Sequence, residues 1–473
     1  MQDRTGTAGA EGSFRPLDPL AELMIFDTRP GYPMAFSVEC GCEGSLDREK
    51  LERALSEVTR RHPNTRSRLG WKGGRPFWRS PDVAPTLIWD PHPQDETPWR
   101  PFDLSRESGL RLIVLFATPD YPTLDNPTLD NPNTVRLILF GHHALCDGLS
   151  ACELWGEIFS HYEGQSLKPL ADEAADTVAE RSQSDPQEEM SKPISQQLSA
   201  VLAEALRFLC FFPARLATPG SRQDRFVCAP PAPSNAPPYR LCVFNAEELE
   251  QLRNLAAERS VTLNDWILAA SMRAFAAWNA ETRRIRGGIR VTVPVSLRQG
   301  DARLPAENRI GYAFLDRKIE RCRDLDSLAA SLAKATGWIK ESGAAGMFIT
   351  ALKVLRRIPG LLWLILRLPI CFSTAVVSNL GNAEMRMRAE LPHCGSGQQV
   401  GDVVITHLVG VPPVRPGTAA SVGIARYGGR LWVSCLADEQ RLGVGAADRL
   451  LKAIRRECLE QEAQAGRRGG PGQ

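Results

Sequence analysis

The chain lacks several signatures that would settle its class early. Neither charge is in excess: 57 Lys and Arg face 55 Asp and Glu, for a net charge of +2. The basic residues are scattered, so bulk electrostatics gives no case for nucleic-acid binding. No apolar run is long enough to cross a bilayer. The nearest candidate, Ile358 to Ile370, is too short and carries Arg367. There is no CxxC pair and no His/Cys cluster at metal-ligand spacing. The 12 cysteines are spread singly from Cys40 to Cys458, and they read as reduced thiols used as small hydrophobes in a cytoplasmic protein. Met1 to Ser13 is polar and Gly-rich, without the basic flank and apolar core of a signal peptide, and is expected to be a disordered lead.

What is present is an ordinary globular composition, 43% apolar and 24% charged. The 473 residues are too many for one compact core and suit two domains of similar size. The first half shows a strand over Ala35–Cys42 and a helix opened by Ser45-Leu46-Asp47 and stopped at Pro63. A hairpin over Leu69–Trp78 turns at Gly73-Gly74, strands follow over Leu110–Ala117 and Val135–Gly141, and a helix runs over Gly148–Tyr162. A short duplication, Pro-Thr-Leu-Asp-Asn from Pro122 and again from Pro127, reads as a turn-rich insertion between two of those strands. An acidic, polar stretch after Leu170 and the proline-rich run Ala229–Pro238 separate this half from a second one with the same rhythm. The expected organisation is a lead over 1–15, a first α/β domain over 16–170, a linker with an apolar helix (Leu198–Phe212) over 171–238, a second α/β domain over 239–460 and a disordered tail over 461–473.

Chemistry concentrates at His142-His143-Ala144-Leu145-Cys146-Asp147-Gly148, at the end of an apolar strand. Adjacent strand residues point to opposite faces, so one histidine at most faces a given cleft. A histidine titrating near neutrality can take the proton of a hydroxyl, amine or thiol that attacks a carbonyl. Asp147 has three readings from residue types alone: the partner of a His-Asp dyad, the cap of the following helix, or an ion-pair partner of an arginine. Two histidines and an aspartate are also a ligand set, yet adjacent histidines converge poorly on one ion and no further cluster completes the shell. A purely structural histidine pair is the plain alternative.

The heptapeptide resembles the HHxxxDG motif of the chloramphenicol acetyltransferase-like superfamily. That group includes condensation domains of peptide synthetases, plant-type CoA-dependent acyltransferases and bacterial wax ester synthase/diacylglycerol acyltransferases. Other stretches are similar to the family in the same order: Arg61-His62-Pro63-Asn64-Thr65-Arg66, Phe102-Asp103-Leu104-Ser105, Pro294-Val295-Ser296-Leu297-Arg298, Asn308-Arg309-Ile310-Gly311-Tyr312 and Ser378-Asn379-Leu380-Gly381. The resemblance covers roughly Pro16 to Glu460.

It implies two acetyltransferase-like α/β halves arranged as a V with the site at their junction. His143 would be the general base in transfer of an acyl group from a thioester, on CoA or on carrier-protein phosphopantetheine, to a hydroxyl or amine. His142 would turn the other way. Asp147 would hold the loop through an arginine, with Arg66 the first choice and Arg298 the second. Gly148 would keep the backbone clear of the thioester and offer its amide to the oxyanion. Ser296, Ser378 and Asn379 would support or line the substrate site. No metal and no permanently bound cofactor is expected, and no nucleic-acid partner. The missing opening of a synthetase condensation domain, and the lack of length for a carrier or adenylation module, point to a free-standing acyltransferase. Rival readings are a condensation-like binding or scaffold protein without turnover and a membrane-associated lipid O-acyltransferase. The latter is suggested by two apolar, arginine-bearing segments, Leu198–Leu216 and Met347–Ile370. Those could lie on a membrane surface or simply pack on the sheets with snorkelling arginines.

Overall fold

A computed structural model describes residues 14–79, 83–92, 94–116, 134–171, 235–281, 287–368 and 371–459. The duplicated loop, the linker with its apolar helix, most of the N-terminal lead and the tail lie outside the described residues.

Two large mixed sheets organise the chain. The first has seven strands in the spatial order His393–Cys394, Gly397–Val400, Val403–Val411, Ala35–Gly44, Thr134–His142, Leu110–Phe116, Thr86–Trp89. The second has six, in the order Ile310–Lys318, Gly288–Ser296, Ala375–Asn382, Ala420–Tyr427, Arg430–Ala437, Arg240–Phe244. A small sheet of Phe14–Pro16, Arg75–Arg79 and Arg68–Lys72 flanks the first. The expected α/β class and paired-sheet architecture are therefore present.

Local chemistry explains the elements near the site. The helix Arg48–Arg60 starts where Asp47 accepts from the Lys50 N–H at 3.0 Å, as the Ser45-Leu46-Asp47 signal predicts. The Gly73-Gly74 and Gly428-Gly429 turns both sit at positive φ, which side chains disfavour. Thr134–His142 is buried almost throughout, and Leu137 and Leu139 are wholly covered. Each such leucine contributes roughly 1.5–3 kcal/mol relative to exposure. Gly148–Tyr162 crosses this sheet and ties to it through Trp155, whose indole N–H donates to the Val38 carbonyl at 3.0 Å. A Cβ on Gly156 of this helix would lie 1.9 Å from the Met387 carbonyl oxygen, so only glycine lets the short helix Ala383–Met387 approach.

The halves are interleaved. Val403–Val411, from the second half, pairs antiparallel with Ala35–Gly44, and two further strands extend the same edge. A buried polar knot fastens this crossover. The Glu39 carboxylate accepts from Arg136 at 2.8 and 2.7 Å, from the Tyr239 hydroxyl at 2.6 Å, and pairs with His407 Nε2 at 3.2 Å. Burial opposes the charge on Glu39, but Arg136 and His407 hold its carboxyl well below the usual range. The His407 ring stacks 4.3 Å from that of Trp432, which belongs to the second sheet. A Cβ at Gly41 would fall 2.1 Å from the His407 ring, so glycine there makes room for it.

Eight of the ten described cysteines are buried; Cys242 is partly exposed and Cys394 exposed, and all ten are free thiols. Among the described residues no group of three or more His, Cys, Asp or Glu could hold a metal ion. Among the same residues no helix is long and apolar enough to cross a membrane. The Met347–Ile370 segment is divided: helices Ala344–Leu355 and Leu361–Arg367 are separated at Gly360, which takes a left-handed φ of 77°.

Candidate active site

His142 ends its strand and His143 begins the turn that leaves it, so the two rings part as the strand alternation requires. Each backbone amide is anchored, His142 N–H to the Gly109 carbonyl at 2.8 Å and His143 N–H to that of Met34 at 2.9 Å.

The two rings hold opposite tautomers, and the hydrogen bonds dictate which. His142 Nδ1 accepts from the Ala144 N–H at 3.1 Å. Its Nε2 must then carry the proton, donated to the Thr28 hydroxyl oxygen at 2.8 Å, while that hydroxyl donates to the Met24 carbonyl at 2.8 Å. Burial, with the neighbouring His143 adding to it, pushes His142 down to about 3. It is a neutral structural group that pins the turn to the helix Pro19–Asp27.

His143 is wired the other way. Asn308 donates its side-chain N–H to the His143 carbonyl at 2.8 Å. That fixes the amide orientation and presents Oδ1 to His143 Nδ1 at 3.2 Å. Nδ1 therefore holds the proton, and Nε2 is left with its lone pair. Burial lowers the His143 pKa below the ordinary histidine value, against a partial rise from its own carbonyl, Asp147 and Asn308. The Phe36 ring, 5.2 Å away between centroids, backs the imidazole. His143 lines a cavity of about 710 Å³ at the junction of the two sheets.

Asn308 sits on a loop of the second half that is clamped to the first. His62 Nδ1 accepts from the Ala306 N–H at 3.0 Å, so its Nε2–H is the donor to Glu157 at 3.2 Å. Asn64 donates to the carbonyls of both Leu145 and Ala306 at 3.1 Å. Ser150 Oγ donates to the Glu307 carbonyl at 3.0 Å. The Arg61–Arg66 segment thus serves the site indirectly, by holding the loop that holds His143.

Asp147 does two of the three things its residue type allowed. It caps the Gly148–Tyr162 helix by accepting from the Ser150 N–H at 3.0 Å. It also forms a two-pronged ion pair with Arg298, at 2.9 and 2.8 Å, and accepts from the Arg309 N–H at 2.8 Å. Burial works against the charge, yet Arg298 and the two N–H donors keep Asp147 below the usual carboxylate range. The expected tie from Asp147 to Arg66 is corrected: the partner is Arg298. Arg66 is buried elsewhere, its guanidinium 3.4 Å from Thr59 Oγ1. The motif places Arg66 close in the family's order of residues, but the fold brings Arg298 across from the second half with its fork aligned to both carboxylate oxygens. Arg298 also donates to Ser150 Oγ at 2.7 Å, joining ion pair, cap and loop in one network.

Gly148 lines the cavity at the first position of its helix. Its φ is not positive, and what glycine supplies here is space: a Cβ there would come within 3.1 Å of Leu380. The first-turn N–H groups of a helix lack intrahelical acceptors, and its N-terminus favours negative charge. Ser296, Ser378 and Asn379 line the same cavity. Ser296 Oγ accepts from the Arg298 N–H at 3.3 Å. Asn379 is engaged in the fold, donating to Asn264 at 2.8 Å and accepting from the Gly381 N–H at 2.7 Å. Sequence reasoning placed Asn308 only within an N-x-x-G resemblance and gave it no role. That segment match was the available signal; the pairing with His143 spans 165 positions.

No family model matches the chain. An uncharacterized protein of Mycobacterium tuberculosis, recorded in two strains, is 25% identical over 464 residues, covering 93% of this chain and 97% of its relative. Among solved structures, the first condensation domain of the CDA synthetase matches with a TM-score of 0.64 at 15% identity, over 95% of this chain and 97% of that one. The trichothecene 15-O-acetyltransferase of Fusarium sporotrichioides matches at 0.63 and 13%, over 97% and 96%. Polyketide synthase associated protein 5 of Mycobacterium tuberculosis matches at 0.59 and 18%, over 96% and 100%. The class is therefore that of the chloramphenicol acetyltransferase-like fold. The likeness in fold to the condensation domain and to the O-acetyltransferase extends over nearly the whole chain.

Proposed function

We propose that the protein is an acyltransferase that moves an acyl group from a thioester, on CoA or on a carrier protein, to a hydroxyl or amine acceptor. The observation that carries this reading is the wiring of His143. Asn308 holds Nδ1 protonated, leaving Nε2 as the basic nitrogen of a ring that lines the cavity where both halves meet. A lowered pKa keeps that nitrogen unprotonated at neutral pH.

In the proposed reaction the acceptor O–H or N–H gives its proton to His143 Nε2 as the acceptor attacks the thioester carbonyl. A C–O or C–N bond forms and the carbonyl becomes a tetrahedral oxyanion. Stabilisation of that charge is assigned to the amide at the Gly148 helix terminus, which lines the cavity. Collapse breaks the C–S bond, and the thiolate takes the proton back from the imidazolium. No covalent acyl-enzyme forms. Asp147 and Arg298 act as positioning residues that hold the turn bearing His143 against the Asn308 loop.

Fold likeness to a condensation domain and to an O-acetyltransferase supports this reaction class, and condensation-domain likeness supports a carrier-protein donor alongside CoA. The rival scaffold reading draws on the likeness to a polyketide synthase associated protein. The test is a mixed panel of acyl-CoA and acyl-carrier donors with alcohol and amine acceptors, followed by mass spectrometry. An ester or amide product formed with thiol release is expected. Ligand binding without product across the panel would favour the scaffold.

A further inference from the structure

The cavity has an apolar limb that ends at the helix pair Ala344–Leu355 and Leu361–Arg367. On the first helix Phe348, Leu352 and Leu355 line the cavity, and on the second Leu362, Ile365 and Leu366 do so, all at helical spacing. The opposite faces are apolar too. Eleven large apolar side chains are exposed among the described residues, and six of them lie within Met347–Leu368. Val354, Ile358, Trp363, Leu364 and Leu368 are between 43% and 57% exposed. A concentration of this kind on one short segment marks an interaction surface rather than the scattered apolar residues of any protein surface.

Charge tells what the surface meets. From Glu341 to Glu384 the chain carries Lys353, Arg356, Arg357 and Arg367 and no acidic residue between them. Arg356 is turned inward to Glu22 at 2.9 Å, and the Arg367 guanidinium lies over the Trp363 ring at 5.4 Å. Lys353 and Arg357 are exposed, and neither has an ion-pair partner among the described residues. Exposed cations interleaved with Trp, Leu and Ile on a helix suit an anionic lipid headgroup layer, where the apolar side chains enter the acyl boundary and the cations meet phosphates. The Trp363 side extends into a cleft with Phe26 and Trp71, which broadens the apolar face.

We infer that the outer face of this helix pair docks on an anionic lipid bilayer, and that its inner face guides an aliphatic chain from that bilayer toward His143. The docking stands on the surface alone; the guided chain rests on the acyltransferase reading and narrows its substrate to a long-chain lipid.

The experiment is co-sedimentation of the full chain with vesicles of mixed phosphatidylglycerol and phosphatidylcholine, and with phosphatidylcholine alone. Binding to the anionic vesicles is expected, falling as salt rises. Lys353→Ala and Arg357→Ala should each weaken it about fivefold, and together roughly thirtyfold. Trp363→Glu with Leu364→Glu should remove it. All four residues are exposed, so circular dichroism and melting of the variants should match the wild type. The inference is overturned if the wild type stays in the supernatant with anionic vesicles, or if the variants bind as the wild type does. It is also overturned if the chain is a dimer without lipid and Trp363→Glu makes it monomeric, which would give the face to a second copy. His143→Ala should bind vesicles normally while losing acyl transfer; a wild type that binds vesicles but transfers no acyl group across the donor and acceptor panel would uphold docking and remove the function proposed above.

Discussion

Replacing Arg298 by alanine isolates the network that holds the site. The change leaves Asp147, with a side chain 2% exposed, without its ion-pair partner. Breaking a buried pair from one side costs about 3–5 kcal/mol, because the remaining charge stays in a poorly solvated place. Asp147 keeps its bonds from the Ser150 and Arg309 N–H groups at 3.0 and 2.8 Å, which argues for the lower end, about 3 kcal/mol. The sign of the pH dependence follows. In the wild type the Asp147 pKa is depressed, so its contribution is complete above the unfolded carboxylate value and is lost as pH falls through the folded one. Without Arg298, burial dominates and the folded pKa rises. The deficit of Arg298→Ala relative to wild type is then largest at neutral pH and shrinks as Asp147 takes up a proton. Urea denaturation at about pH 7.5 and about pH 5 reads this directly. Asp147→Asn should rescue part of the Arg298→Ala loss, with a coupling of about 2 kcal/mol or more in the double-mutant cycle. The same cycle between Asp147 and Arg66 should give less than about 0.5 kcal/mol. Coupling of Asp147 to Arg66 and additivity with Arg298 would refute the assigned pairing.

Asn308→Ala should lower turnover by about 10- to 100-fold, a part of what general-base catalysis supplies, with a smaller change in KM. Its acid limb should move to lower pH, because the Asn308 bond raises the His143 pKa and its loss leaves burial less opposed; an unchanged pH profile would mean Asn308 only supports the fold. His142 has a second signature. Its pKa of about 3 lies below the 6.5 of an ordinary histidine, so stability should be complete above about 6.5 and fall as pH drops toward 3. The full effect is roughly 4–5 kcal/mol, and His142→Gln should flatten this limb in melting curves taken between about pH 7 and about pH 4; an identical pH dependence in both proteins would exclude the neutral structural role.

Much of this was legible from residues because it is local. The Val135–Gly141 run, the Asp147 cap and the paired-glycine hairpins follow from side-chain period, helix-end chemistry and backbone freedom over a few positions. What was not legible depends on closure over long separations. The apolar run Val400–Val411 reads as one strand, whereas the structure ends one strand at Val400 and starts the next at Val403, and nothing in its alternation says that Val403–Val411 adds to the Ala35–Gly44 edge of the other half. Arg66 and Arg298 are equivalent as charges in a sequence; only the fold aligns one guanidinium with Asp147. Asn308 is a polar loop residue until His143 is placed beside it. The Met347–Ile370 segment shows its composition in the sequence, whereas its two apolar faces appear only when one of them is seen lining the cavity.

The central claim is that His143 Nε2 takes the acceptor's proton. Its most direct test is the rate of thiol release, in the presence of acceptor, by wild type and His143→Ala with the donor identified from the panel. The account predicts a folded variant whose rate falls by about 10²- to 10⁴-fold, while the wild-type rate is flat through neutrality and declines only on the acid side of the ordinary histidine range, because burial lowers the His143 pKa. A variant that releases thiol at a near-normal rate would contradict it.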